Sequence, residues 1–421
     1  MGDTIFLQFY NQIKDSYYDL CNGFSDTYDL CQGKGDFFWI EHEVDSSKWY
    51  SEKTYAGREL PIDQGTVYIS AVYLNHLYQS YIWAKDYPDI QFVVGGPVAA
   101  EQCVGNNGWN PVYFKLASDV MLPPNLKITG KSVEDWFGAS NFSGQWKLDI
   151  PRAVPDNNPI YFSYTLDNGC YWHKCIYCNI ALHAGDLFRK RKNIGFEFKD
   201  IDHKGTIFVR LNTGSMTPAY IRKLLPELPR GDHLEYRMFM RPATPENEAL
   251  KEVLGKWQGE FPNLMLGLGI EFPSNRMLKY AGKGFKKEEM LTSLRICNQY
   301  GIRVNGNFML GWNNLIEDDL RELEDFLVQI PEGSILNMQV RWLFGHPYTE
   351  IHDSYQGEEI KLGPFYIGFR TEINSNQIDL NKRASEIVER YGRIKRFKLE
   401  GLGSIKSDFF ASRGQLINSE T

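Results

Sequence analysis

Asn168-Gly169-Cys170-Tyr171-Trp172-His173-Lys174-Cys175-Ile176-Tyr177-Cys178 sets three cysteines at C-x4-C-x2-C, directly after a strand-like run from Pro159 to Thr165. Two cysteines separated by two residues can direct both thiolates at one centre, and a third on the same short loop makes a tripod. The spacing suits metal rather than disulfides. A structural zinc ion would want a fourth protein ligand; no further cysteine follows until Cys297, so His173 or His183 would have to serve. A 4Fe-4S cluster takes cysteine at three irons and leaves the fourth for an outside ligand, where chemistry can enter.

The chain around this loop is that of a soluble globular protein. Its 421 residues exceed one ordinary domain, 43% are hydrophobic and 24% charged. A net charge of -7 gives no general case for nucleic-acid binding. No apolar run approaches the ~20 residues that span a bilayer, and Asp3 stands where a signal peptide would carry positive charge. Seven cysteines, an odd number with three clustered, fit a reducing compartment. The expectation is a cytoplasmic protein with no membrane and no nucleic-acid partner.

Three units are expected: residues 1–150, 151–350 and 351–421. In the first, Thr4 to Phe9 reads as a buried strand, Val67 to Ala71 as a strand, Leu74 to Ala84 as a helix, and Ile90 to Val94 as a strand ending in Gly95-Gly96-Pro97. Between Tyr10 and Gln64 no second β-α unit is legible. From Pro159 onward strands at 159–165, 205–211, 234–240, 264–271, 302–310 and 335–343 alternate with helix signals. Thr217-Pro218 and Thr244-Pro245 each put a cap before a proline in the first turn. This is an α/β protein with a partial barrel of six β/α units. In the last four strands one face is apolar (Tyr236, Met238, Met240, Leu266, Leu268, Ile270, Val304, Phe308, Leu310, Leu336, Met338, Val340, Trp342) and the other polar (Glu235, Arg237, Arg241, Gly267, Gly269, Glu271, Arg303, Asn305, Asn307, Asn337, Gln339, Arg341). Helices must cover the first; the second lines a lumen that either holds a polar ligand or pairs its own charges. The last unit, which contains a helix near Asn381 to Tyr391, is expected to cap the barrel mouth.

The cysteine loop resembles the cluster loop of the radical S-adenosylmethionine (radical SAM) superfamily, including the aromatic Tyr177 before the last cysteine, although that family usually spaces its cysteines by three and then two residues. The resemblance extends over residues 159 to 345, through Gly-Ile-Glu ending at Glu271 and the run from Met277 to Gly284. It implies that Cys170, Cys175 and Cys178 hold a 4Fe-4S cluster whose open iron is chelated by S-adenosylmethionine. Tyr177, Asn212, Thr213, Gly214, Ser215, Glu271, Asn305 and Asn307 would then bind that cofactor. The glutamate usual after the second strand is absent, which leaves the Asn212 to Ser215 contact open. Glu271, Arg341 and His346 are the candidate catalytic residues.

Residues 66 to 100 resemble the cobalamin-binding-like domain of one branch of the superfamily, here in reduced, Rossmann-like form without Asp-x-His-x-x-Gly, so cobalamin is admitted as a cofactor but not favoured. The implied reaction is hydrogen abstraction from an unactivated carbon of a peptide or other natural-product substrate. Cobalamin-dependent methyl transfer, peptide epimerisation and a non-catalytic zinc protein are the alternatives. The basic run Phe188 to Lys192 would suit docking of a flavodoxin- or ferredoxin-type electron donor. Cys297, on an apolar stripe with Met290 and Leu294 at the strand-five amino end, reads as a core residue.

Overall fold

The computed structural model describes residues 3–13, 17–20, 36–43, 60, 62–71, 74–96, 101–102, 110–111, 115–116, 121–129, 154–166, 170–180, 203–256 and 263–406. In the N-terminal unit, β1 (Asp3–Ile13), β2 (Tyr17–Asp19), β3 (Asp36–Glu43) and β4 (Gly65–Ser70) precede α1 (Leu74–Asp86), β5 (Ile90–Gly95) and β6 (Leu126–Ile128). Parallel pairing runs β3-β1-β4-β5-β6. Setting aside the short β2, that is the order 2-1-3-4-5 of doubly wound folds, which bind ligands outside the carboxyl ends of the strands where the order reverses. The expectation of a single β-α-β unit is therefore corrected. The strand at Asp36 to Glu43 escaped the sequence reading because its aromatic and charged residues do not alternate cleanly with period two.

The second unit contains the six expected strands. They are β7 (Ile160–Thr165), β8 (Ile207–Asn212), β9 (Leu234–Met240), β10 (Leu264–Glu271), β11 (Arg303–Leu310) and β12 (Asn337–Trp342), joined in parallel in chain order. Between them run α2 (Pro218–Leu224), α3 (Thr244–Lys256), α4 (Asn275–Tyr280), α5 (Lys287–Gln299) and α6 (Glu317–Gln329). The cap reading holds at α2, where the Thr217 side chain accepts from the Tyr220 amide and Pro218 opens the helix. Tyr236, Met238, Leu266, Leu268, Val304, Phe308 and Val340 are buried on one face as the alternation requires; Leu336 falls just before β12 and is exposed. β2 joins the two units, pairing antiparallel with β1 and parallel with β7.

The C-terminal segment differs from the expected cap. After β12, β13 (Phe344–Gly345), α7 (Glu350–Ser354), β14 (Gly357–Leu362) and β15 (Phe365–Thr371) build a small antiparallel sheet. Its Ile360, Leu362, Phe365 and Ile367 are buried in one cluster with Ile5, Leu7, Val67 and Leu77 of the N-terminal unit. The expected helix spans α8 (Ser375–Lys395) and lies along α6, with ion pairs Arg390–Glu324 and Arg383–Glu317 at 2.5 Å each. β16 (Lys398–Glu400) then adds a seventh parallel strand beside β12. The helix is thus part of the barrel's outer layer and does not cap its mouth. An amphipathic helix followed by a short strand satisfies its apolar face and its backbone together by extending the existing sheet.

Asn381 fastens α8 to the carboxyl end of β11. Wholly buried, it accepts from the Gly311 amide at 2.7 Å and donates to the carbonyls of Trp312 and Gln377, both at 2.9 Å. Asn381→Ala leaves the Gly311 amide and the Trp312 carbonyl buried without partners. A loss of about 2 to 4 kcal/mol is expected in urea unfolding, whereas an exposed α8 substitution such as Lys382→Ala should stay within about 0.5 kcal/mol.

Candidate metal centre and cofactor site

Cys170, Cys175 and Cys178 are half-buried and outside any disulfide, on the loop that leaves the carboxyl end of β7. The loop is held by the segment after α4. The Ile176 amide donates to the Ala281 carbonyl at 3.3 Å, and the Trp172 indole N–H donates to the Gly282 carbonyl at 2.7 Å. Gly282 and Gly284 sit at φ 71° and 66°, and a Cβ on either would run into the loop, at the Lys174 carbonyl oxygen and the Trp172 ring respectively. Only glycine gives both the left-handed backbone and the close approach.

Arg241, at the carboxyl end of β9, completes the clamp. Its guanidinium lies over the Trp172 ring at 3.7 Å from the centroid, and donates to the Tyr171 hydroxyl at 3.1 Å, to Glu246 Oε1 at 3.2 Å and to the Lys283 carbonyl at 3.0 Å. A planar fork stacked on an aromatic face is a geometry lysine cannot reproduce. A cleft of about 350 Å³ opens beside it, lined by Tyr171, Trp172, Arg241, Pro245 and Glu246 among others.

Glu271 ends β10 as the sequence implies, but at φ 53°, past a register shift between Gly269 and Glu271 that turns its carboxylate. Oε1 accepts from Lys283 Nζ at 2.9 Å, and the same ammonium donates to the Tyr177 hydroxyl at 3.1 Å. Burial pushes the Tyr177 phenol well up, and the Glu271 carboxylate adds to it. Burial pulls on the Lys283 ammonium from below, yet Glu271 and the neighbouring thiols hold it above its ordinary value, so it is a fixed cation. At Cys175, burial raises the thiol while Lys283 and Arg241 oppose it.

These side chains fit an iron-sulfur cluster by their chemistry. Three soft thiols outside any disulfide share one loop with cations beside them, and a bound metal deprotonates such thiols outright. Among the described residues no three His, Cys, Asp or Glu side chains gather as the ligand set of one metal ion, and thiolates at separate corners of a cluster do not have to. The exposed His173, at φ 42°, turns Nδ1 to the Tyr171 carbonyl of its own loop at 3.0 Å; His183 lies outside the described residues.

The remaining sequence candidates divide. Thr213 and Ser215 are buried after β8, and the Ser215 hydroxyl accepts from the Arg241 amide at 3.0 Å, while the Thr213 hydroxyl donates to the Ser215 carbonyl at 3.2 Å. Both thus shape the turn beside the clamp together with half-buried Gly214; the Asn212 side chain is outside the described set. Asn305 and Asn307 alternate into the lumen, and the buried Asn305 Oδ1 has no hydrogen-bond partner among the described residues. Arg341 is exposed and donates to Gln339 Oε1 at 2.8 Å. His346 follows β13 of the small sheet, its ring 4.7 Å from the Phe344 ring and its carbonyl accepting from Thr349, and burial lowers it to about 4. Cys297 is wholly buried in the last turn of α5, its thiol pushed up to about 12, as a core cysteine should be.

Lumen polarity has two causes. At the strands' amino ends Glu235 pairs with Arg303 at 2.8 Å and with Arg237 at 3.1 Å, and Arg237 lies 4.4 Å from the Phe208 ring. That half satisfies itself. The carboxyl-end polar residues face the cysteine loop instead. Sequence reasoning placed Arg241 on the polar lumen face without a site role and missed Lys283; Gly282-Lys283-Gly284, a charge between two glycines just after a short helix, was the available signal. The basic run Phe188 to Lys192 is outside the described residues.

Burial, opposed by a hydrogen bond from its own backbone and aided by the Glu289 carboxylate, raises the Glu246 carboxyl from 4.5 to about 7, and its Oε2 has no hydrogen-bond partner among the described residues. Between those values native Glu246 holds more proton than the unfolded chain, so it subtracts stability as pH rises through that window. Urea unfolding at the two ends of the window should show Glu246→Gln falling less with rising pH than wild type.

No protein-family model and no curated protein matches the chain. Solved structures do. The S-adenosylmethionine radical methyltransferase TsrM from Kitasatospora setae, with cobalamin and a [4Fe-4S] cluster bound, aligns at 12% identity and TM-score 0.49 over 84% of this chain and 78% of TsrM. The apo, selenomethionine-labelled form of OxsB, a cobalamin-dependent S-adenosylmethionine radical enzyme, aligns at 12% identity and TM-score 0.50 over 93% of this chain and 67% of OxsB. Across both its Rossmann-like unit and its partial parallel barrel, the chain shares the fold of a cobalamin-dependent S-adenosylmethionine radical enzyme.

Proposed function

We propose that the protein is a radical SAM enzyme that binds a 4Fe-4S cluster through Cys170, Cys175 and Cys178 and abstracts hydrogen from an unactivated carbon of a peptide or other natural-product substrate. The observation that carries the reading is the clamped tripod: three thiols outside any disulfide at the carboxyl end of the first barrel strand, on a loop held by Arg241 and Lys283. Active sites of parallel barrels lie at that end. Cys170, Cys175 and Cys178 would hold the cluster, which would supply the electron for reductive cleavage of S-adenosylmethionine to methionine and a 5′-deoxyadenosyl radical. The protein's own part is to hold the loop in place, to fix Tyr177 through Lys283, and to offer unpaired lumen acceptors such as Asn305 Oδ1 to a polar ligand.

Anaerobically reconstituted protein should take up about four irons per chain and form 5′-deoxyadenosine with dithionite. Cys170→Ala, Cys175→Ala and Cys178→Ala should each abolish the product. Full iron and product formation in Cys175→Ala would end the reading. Cys297→Ser should retain turnover.

A second reading, cobalamin-dependent chemistry including methyl transfer, is favoured by one observation. The five-stranded 2-1-3-4-5 sheet removes the ground for treating the N-terminal unit as reduced, and the neighbour OxsB is cobalamin-dependent. On this reading hydroxocobalamin is retained near one per chain after desalting. Return to the apo spectrum would leave radical chemistry without cobalamin. The electron donor, of flavodoxin or ferredoxin type, and a cytoplasmic location belong to the same proposal; among the described residues no helix is long and apolar enough to cross a membrane.

A further inference from the structure

Lys283 and Glu271 form a buried ion pair whose side chains are 10% and 9% exposed. Burying two charges costs more than their attraction returns unless something else uses them. The chain makes specific room for the pair. Gly269 leaves the pair its space: a Cβ there would stand 2.6 Å from Glu271 Oε1 and 2.8 Å from Lys283 Nζ, so the two charged ends would have to shift. The register shift and left-handed backbone at Glu271 turn the carboxylate to meet the ammonium. A purely structural contact would not need a bulge, a glycine and an unusual φ together.

The pair lies against the cysteine loop. Lys283 Nζ donates to the hydroxyl of Tyr177, which separates Cys175 and Cys178 in the chain. The neighbouring Gly282 faces the loop so closely that a Cβ there would lie 3.5 Å from the Cys175 Cα.

We infer that Lys283 and Glu271 set the reduction potential of the cluster, Lys283 raising it and Glu271 lowering it. One-electron reduction of [4Fe-4S]2+ to [4Fe-4S]+ adds one negative charge to the centre. A fixed cation nearby favours the reduced form and a fixed anion the oxidised form, most effectively where water is excluded. Arg241 is a second nearby cation, but it also stacks on Trp172 and anchors the loop, so its removal would confound charge with position. Lys283 and Glu271 are positioning residues here, acting through the cluster.

This inference rests on the cluster reading, and the experiment separates the two. Reconstituted full-length protein, without S-adenosylmethionine, is titrated with dithionite and mediators while the reduced cluster is followed by EPR. Lys283→Gln should shift the midpoint to more negative potential, Glu271→Gln to more positive potential, and Lys283→Arg should remain at the wild-type value. Opposite shifts from the two neutral variants would not arise from loosened packing. If Lys283→Gln fails to hold a cluster, the positive shift in Glu271→Gln decides alone. Unchanged midpoints in variants with intact cluster signals would overturn the inference and leave the cluster reading standing; wild-type protein that binds no cluster would overturn both.

Discussion

Charge inside a barrel has to be answered, and the partial barrel is arranged around that constraint. Parallel strands covered by helices would ordinarily carry Val, Ile and Leu on both faces. Here the inner face carries arginine, glutamate and asparagine. At the amino end Glu235, Arg237, Arg303 and Asn263 answer one another. At the carboxyl end the answer comes from outside the strands. Lys283 reaches Glu271 from the segment after α4, and the same segment grips the cysteine loop. One end of the lumen is closed by its own ion pairs, and the other is built to meet what the loop holds.

The clamp on the cysteine loop is mostly backbone. Ala281, Gly282, Lys283 and Gly284 offer carbonyls to Ile176, Trp172 and Arg241, and the two glycines allow the approach. Backbone groups have little freedom to move aside, so the loop's position is set without depending on long flexible side chains. Arg241 adds the one side chain that bridges strand, loop and clamp at once. Trp312, wholly buried after β11, lies edge-on to Tyr177 and Tyr280 at 6.1 Å each, which ties the loop and α4 to the barrel core.

Two interfaces beyond the barrel matter for how the halves stay together. β2 pairs with strands of both units, and the small antiparallel sheet after β12 buries Ile360, Leu362, Phe365 and Ile367 with the N-terminal strands. Apolar burial of this kind is non-directional and accumulates with area, at about 25 cal/mol per Å². The insertion therefore serves as a brace between the Rossmann-like unit and the barrel, a role quite different from the lid expected of the last segment.

The sequence by itself determined the barrel strands, because period-two alternation and cap-proline pairs are local signals that burial of one face enforces. It also determined the cysteine tripod and Glu271, since spacing along one loop and position at a strand end are readable without contacts. What only the tertiary structure decided are the relations between distant residues. Lys283 with Glu271 and Tyr177, and Arg241 over Trp172, join segments up to 106 residues apart. The same holds for β3 and β16, short or irregular strands whose identity comes from the partner they pair with. A strand's backbone is satisfied only by a neighbour that the linear pattern does not name, and a buried charge only by a partner that the fold delivers.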